Sequence, residues 1–126
     1  MRYPFSMSIF KTNIEAVNPK QEQISTPPIE VIVDTGSELT WLPEEILKEA
    51  GIMPRRKRVF IMADGKRIER EIGYAILRVE EFETTDEVVF AREGDLLLLG
   101  VRTLEGFAVM VDNIGHKFVA QSTMAC

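Results

Sequence analysis

A chain of 126 residues is long enough for one domain with a modest core, taken here as residues 1–126, and too short for two lobes. With 15 Lys and Arg against 20 Asp and Glu, the net charge of −5 argues against a general binder of nucleic acid or anionic membrane. One cysteine, Cys126, rules out an internal disulfide and makes a reduced cytoplasm the default.

In chain order, Met1-Arg2-Tyr3-Pro4-Phe5-Ser6 lacks the apolar core of a signal peptide, and no stretch is long enough to span a membrane. A soluble cytoplasmic protein is expected. Phe5 to Ile14 alternates loosely, as an N-terminal strand does. Asn18 to Pro28 is a polar, proline-bearing loop with a short edge strand around Gln23-Ile24. Ile29 to Val33 reads as a buried strand running straight into Asp34-Thr35-Gly36-Ser37. Pro43 to Ala50 is the clearest helix, with Pro in its first turn, two early acids and Gly51 to end it. Arg58–Ala63 and Lys66–Glu80 form a hairpin around Asp64-Gly65, a pair that favours a tight two-residue turn. Val88–Ala91 and Leu96–Leu99 are strands separated by Arg92-Glu93-Gly94, and Phe107–Asp112 with Lys117–Ala120 make a last hairpin. Many short strands and little helix give an all-β fold.

The chemistry concentrates at Asp34. A carboxylate at the end of a buried strand loses hydration, which disfavours its charged form and suits it to handling a proton. Thr35 offers a hydroxyl to hold the turn, and Gly36 lets the backbone turn sharply. Taken alone, Asp-Thr-Gly after a strand is more often simply an Asx-turn. Other chemistries lack their parts. His116 has no Cys or second His nearby for a metal site, and Ser37 and Thr40 have no histidine for a triad. No Gly-Lys-Ser/Thr phosphate loop exists. Arg55-Arg56-Lys57-Arg58 reads as a solvated stretch entering the hairpin. Trp41 fits either a cleft wall or the core.

Asp34-Thr35-Gly36 after an apolar strand, the hairpin at Asp64-Gly65, and Leu98-Leu99-Gly100 downstream occur in the order found in one family. Over roughly residues 29 to 120 the chain resembles the retropepsin-like (retroviral-type) aspartic proteases. That resemblance implies a closed, barrel-like all-β acid-protease fold with one or two short helices, the second over Thr103–Phe107, and one lobe per chain. It implies catalytic Asp34, Thr35 and Gly36, with Thr35 bonding across the dyad. Ser37, Asp64, Gly65, Leu98, Leu99 and Gly100 are then the substrate-contacting set, the hairpin being the flap. No metal or organic cofactor is implied. The chemistry needs two carboxylates around one water, and none of Asp64, Asp86, Asp95 or Asp112 is a good second member, Asp86 and Asp95 reading as strand ends. A homodimer supplying Asp34 twice is the economical solution, acting on a peptide or protein substrate. The alternative is a non-catalytic peptide-binding or dimerisation module on the same fold.

Three departures from the family stand out. Ser37 replaces the usual Ala, the glycine-rich flap tip is reduced to Asp64-Gly65, and the arginine after the second glycine comes one place late, at Arg102. Glu38 is the position expected to pair with it.

Overall fold

The computed structural model describes residues 9–122. Its elements are β1 (Lys11–Val17), β2 (Ile29–Val33), β3 (Thr40–Pro43), α1 (Glu44–Glu49), β4 (Arg56–Ile61), β5 (Arg67–Val79), β6 (Phe82–Ala91), β7 (Leu98–Leu99), α2 (Val101–Phe107), β8 (Val109–Asp112) and β9 (Lys117–Ala120). The opening segment up to Ser8 and Cys126 lie outside the described residues.

Seven strands form one sheet in the order β1-β2-β7-β3-β6-β5-β4, and an added β1–β5 pairing closes six of them into a barrel. β1 achieves the closure by splitting its length. Lys11–Ile14 pair with β2, while Glu15–Val17 pair with Arg78–Ile76 of β5. β5 is likewise shared. Its Ile72–Val79 half runs antiparallel to β6, and residues 67–71 extend beyond the barrel, paired only with β4. The β4–β5 hairpin is therefore an arm projecting from the barrel wall.

Side-chain alternation sorts the core onto two faces. In β3 and β6, Leu42, Val88 and Phe90 enter the main core with Ile14, Val31, Leu77, Leu99 and Leu104. Their neighbours Trp41, Val89 and Ala91 turn the other way, joining Leu39 and Ile72 in a second cluster against Phe60 and Ile68 of the arm. β6 is thus covered on both sides, which is why Asp86 to Ala91 is buried without interruption. Trp41, 7% exposed, is core.

The differences from expectation have local causes. Of the strand expected over Phe5–Ile14, the part up to Ser8 lies outside the described residues; β1 begins at Lys11 and runs on to Val17, because its second half pairs with β5. Around Gln23-Ile24 there is only a single bridge, Val17 to Ser25. β3 has no clear signature in the sequence, being four residues long and ending in Pro43. β6 begins at Phe82, so Asp86 sits in mid-strand and not at a strand end. The hairpin tip is a three-residue turn, not two. Met62 N–H donates to Lys66 O (2.7 Å), Gly65 N–H donates to Met62 O (2.8 Å), and Gly65 takes φ +84°. That left-handed residue after a tight turn suits glycine and matches the strands' twist.

Candidate active site

Asp34 follows β2 in a turn held from below by β7. β2 and β7 are parallel, so Ile32 N–H donates to Leu97 O (3.0 Å) and Asp34 N–H to Leu99 O (3.0 Å). Within the turn, Gly36 N–H donates to Asp34 Oδ1 (2.9 Å), Ser37 N–H to Asp34 O (3.1 Å), and Ser37 Oγ to Leu39 O (2.8 Å). This is an Asx-turn that fixes one carboxylate oxygen and leaves Oδ2 without a partner among the described residues. Asp34 is half-buried while Thr35 and Gly36 are exposed. The expected burial of the carboxylate is therefore incomplete in one chain, and Thr35 makes no side-chain hydrogen bond to the described residues.

The Leu98-Leu99-Gly100 segment carries this turn mainly through its backbone. Leu99 is fully buried, so its side chain belongs to the core, whereas Leu98 is half-buried in the second cluster. After Gly100, the first two amides of α2 find their acceptors in the Asp34 loop: Val101 N–H on Ser37 O (2.8 Å) and Arg102 N–H on Glu38 O (3.1 Å). Orphan donors of a helix start and orphan carbonyls of a turn satisfy each other.

A hydroxyl chain beneath the loop was not visible in the sequence. Gly100 N–H donates to Thr40 Oγ1 (3.0 Å), Thr40 and Thr103 hydroxyls lie 2.7 Å apart, and Thr103 Oγ1 donates to Asp86 Oδ2 (3.1 Å). Since Thr103 donates its proton to Asp86, Thr40 must donate to Thr103, and the whole chain points one way. The acids Asp86-Glu87, interrupting an otherwise strand-like run, were its only sequence signal.

The expected Glu38–Arg102 pair does not form. Arg102 reaches Asp86 (3.1 Å) and Glu87 (3.1 Å) instead, and Glu38 pairs with Arg58 of the arm (2.8 Å). Burial works against ionisation of Glu87, but hydrogen bonds from Arg56 and Arg102 outweigh it and hold its carboxyl below the usual range. The basic run entering the hairpin is correspondingly paired rather than merely solvated: Arg56 with Glu87 (2.5 Å), Lys57 with Glu69 (4.0 Å), and Arg55 over the Tyr74 ring (5.8 Å). Asp64 and Gly65 are at the exposed arm tip, where Asp64 Oδ1 accepts from Lys66 N–H (2.9 Å).

His116 stacks on Phe10, with ring centroids 5.2 Å apart. Among the described residues no group of three His, Cys, Asp or Glu could hold a metal ion, and no helix is long and apolar enough to cross a membrane. Two grooves, of about 390 and 470 Å³, are lined by Asn18, Met53 and Tyr74 and by Glu44, Arg92 and Leu97 respectively; neither is lined by Asp34.

A model of the family described as gag-polyprotein putative aspartyl protease matches residues 21–106. Among solved structures, the chain is similar to a foamy viral protease-reverse transcriptase bound to an RNA/DNA hybrid (TM-score 0.55, 15% identity, 94% of this chain and 13% of that one). It is also similar to the simian foamy virus (mac) protease (TM-score 0.50, 18% identity, 75% of this chain and 91% of that one). A retropepsin-like aspartic protease from Rickettsia conorii matches with TM-score 0.48 and 21% identity over 82% of this chain and 84% of that one. The chain spans only 13–15% of the foamy viral protease-reverse transcriptase chains bound to nucleic acid. No curated protein matches it.

Proposed function

Because the chain belongs to the gag-polyprotein putative aspartyl protease family, with a retropepsin-like fold of mostly β structure and two short helices, we propose that it is an endopeptidase working as a homodimer. Asp34 of two identical chains holds one water. The ionised member removes a proton from that water, and the protonated member donates to the scissile carbonyl oxygen. Substrate lies extended between the catalytic turn and the arm, adding main-chain hydrogen bonds in the manner of an extra strand. Asp64 and Gly65 approach it from the arm tip, and Ser37 and Leu98 from the floor. A reducing, intracellular setting is part of the same proposal.

One observation carries the reading: the disposition of the five aspartates. Asp64 and Asp112 cap their own turns, Asp86 is engaged by Thr103 and Arg102, and Asp95 by Arg70. Asp34 alone combines a carboxylate oxygen that has no partner among the described residues with a turn tied by main-chain hydrogen bonds to both β7 and α2, whereas Asp64 and Asp112 belong to hairpin turns; a second catalytic carboxylate is therefore supplied by another copy.

The test is peptide-library cleavage read by mass spectrometry, comparing wild type with Asp34→Asn. Cleavage by the wild type and none by the folded variant is the expected result. Equal cleavage by both refutes the mechanism, and peptide binding without any cleavage favours a binding module instead.

A further inference from the structure

The arm's inward face has an unusual make-up. Cross-strand partners share a face, so Arg58 opposite Arg70 and Phe60 opposite Ile68 all point toward the second core cluster. The aromatic part packs directly, with Phe60 and Trp41 centroids 5.0 Å apart. Two like charges directly opposite one another would push that face away from the barrel. Each is drawn off by a carboxylate on a different segment. Arg58 goes to Glu38, four residues after Asp34 (2.8 Å). Arg70 goes to Asp95 in the β6–β7 turn through two parallel bonds, Nε to Oδ2 at 2.7 Å and Nη2 to Oδ1 at 2.8 Å.

The two anchors differ in strength. Glu38 and Arg58 side chains are 55% and 34% exposed, so water screens them; Arg70 and Asp95 are 13% and 14% exposed and locked in a fork. Asp95 is itself fixed by Arg92 N–H (2.8 Å) and stands two residues before Leu97, whose carbonyl holds Ile32 of the catalytic strand.

We propose that the Arg70–Asp95 pair presets the arm beside the catalytic turn before substrate arrives, making Arg70 a positioning residue. Resting on the endopeptidase reading, this gives the short, glycine-poor tip a rationale: the arm needs little freedom because its root is fastened in the working position. Preorganisation of this kind acts on substrate affinity, since only the correctly placed fraction of molecules binds.

Hydrogen exchange of the dimeric protein tests the clasp without requiring activity. In Arg70→Gln, and again in Asp95→Asn, amides of residues 57–61 and 67–71 are expected to exchange about tenfold faster, the equivalent of losing one charge-assisted pair. Amides of β6 and α2 should stay at the wild-type rate. Arg67→Gln, an exposed arginine on the arm's outer face, should change nothing. On a cleaved peptide, both clasp variants should raise KM more than they lower kcat. Unchanged arm exchange, a uniform acceleration over the whole molecule, or a loss confined to kcat would each overturn the proposal. An altered arm in a protein that cleaves nothing would sink the endopeptidase reading alone.

Discussion

A methyl group at position 100 would stand 2.4 Å from the carbonyl oxygen of Leu39 and 3.0 Å from that of Glu38. Neither neighbour is a flexible side-chain end; both are backbone of the loop after Asp34, which Ser37 O and Glu38 O tie to Val101 and Arg102 of α2. Gly100→Ala is therefore expected to destabilise the fold by about 1–3 kcal/mol, the usual range for forcing atoms into a packed site, and to displace the Asp34 turn. Urea denaturation reads the first effect and peptide cleavage the second; an unchanged midpoint would mean that the loop moves aside freely. The sequence marked Gly100 only through its place after Leu98-Leu99. The reason for the glycine is a close approach between segments sixty residues apart, which no local pattern reports. Asp34 was legible because its turn is local: strand, acid, hydroxyl and glycine are consecutive. The partner of Arg102 was not, because Arg102, Asp86 and Glu87 meet only once β6 has folded against α2.

At the level of elements, the buried acids of β6 join the arm, the barrel and α2. Glu87 accepts from Arg56 at the root of the arm and from Arg102 on the helix, and its folded pKa is depressed. A depressed folded pKa means the unfolded chain binds more protons, so this stabilisation is present above the ordinary carboxylate range and is lost as pH falls through the lower, folded value. Glu87→Gln should accordingly cost about 2 kcal/mol at neutral pH and clearly less at pH 3. Urea titrations at both values check it, and an equal cost at each would show that the charge on Glu87 is irrelevant. Elements announced by ordinary turn chemistry were legible: α1 between Pro43 and Gly51, and the β8–β9 hairpin. The β5–β6 hairpin was hidden because its turn places Glu80, not a glycine or asparagine, at φ +54°. Tertiary contact selects that conformation; the residue type does not advertise it.

For the whole molecule, a single lobe presents one Asp34 turn, half-buried, with an Oδ2 that has no partner among the described residues. Apolar surface is also left outside the core: Met110 and Val119, cross-strand partners on the β8–β9 ribbon, are 58% and 45% exposed. If each active site takes one Asp34 from either subunit, an inactive subunit disables every wild-type subunit it pairs with. Asp34→Asn keeps the volume and the Gly36 N–H acceptor, so the variant should exchange freely into dimers. Mixed in threefold excess, well above the dissociation range, it should lower the activity per wild-type subunit to about a quarter by random pairing. Diluting wild type alone should lower activity per subunit in the same way, as dimers give way to monomers. A strictly additive mixture, in which each wild-type chain keeps its full rate whatever the excess of variant, would mean that one chain carries a complete site. The second carboxylate would then have to come from Asp64, Asp86, Asp95 or Asp112; Asp86 and Asp95 would first have to give up the partners that hold them, and Asp64 and Asp112 would have to leave their own hairpin turns.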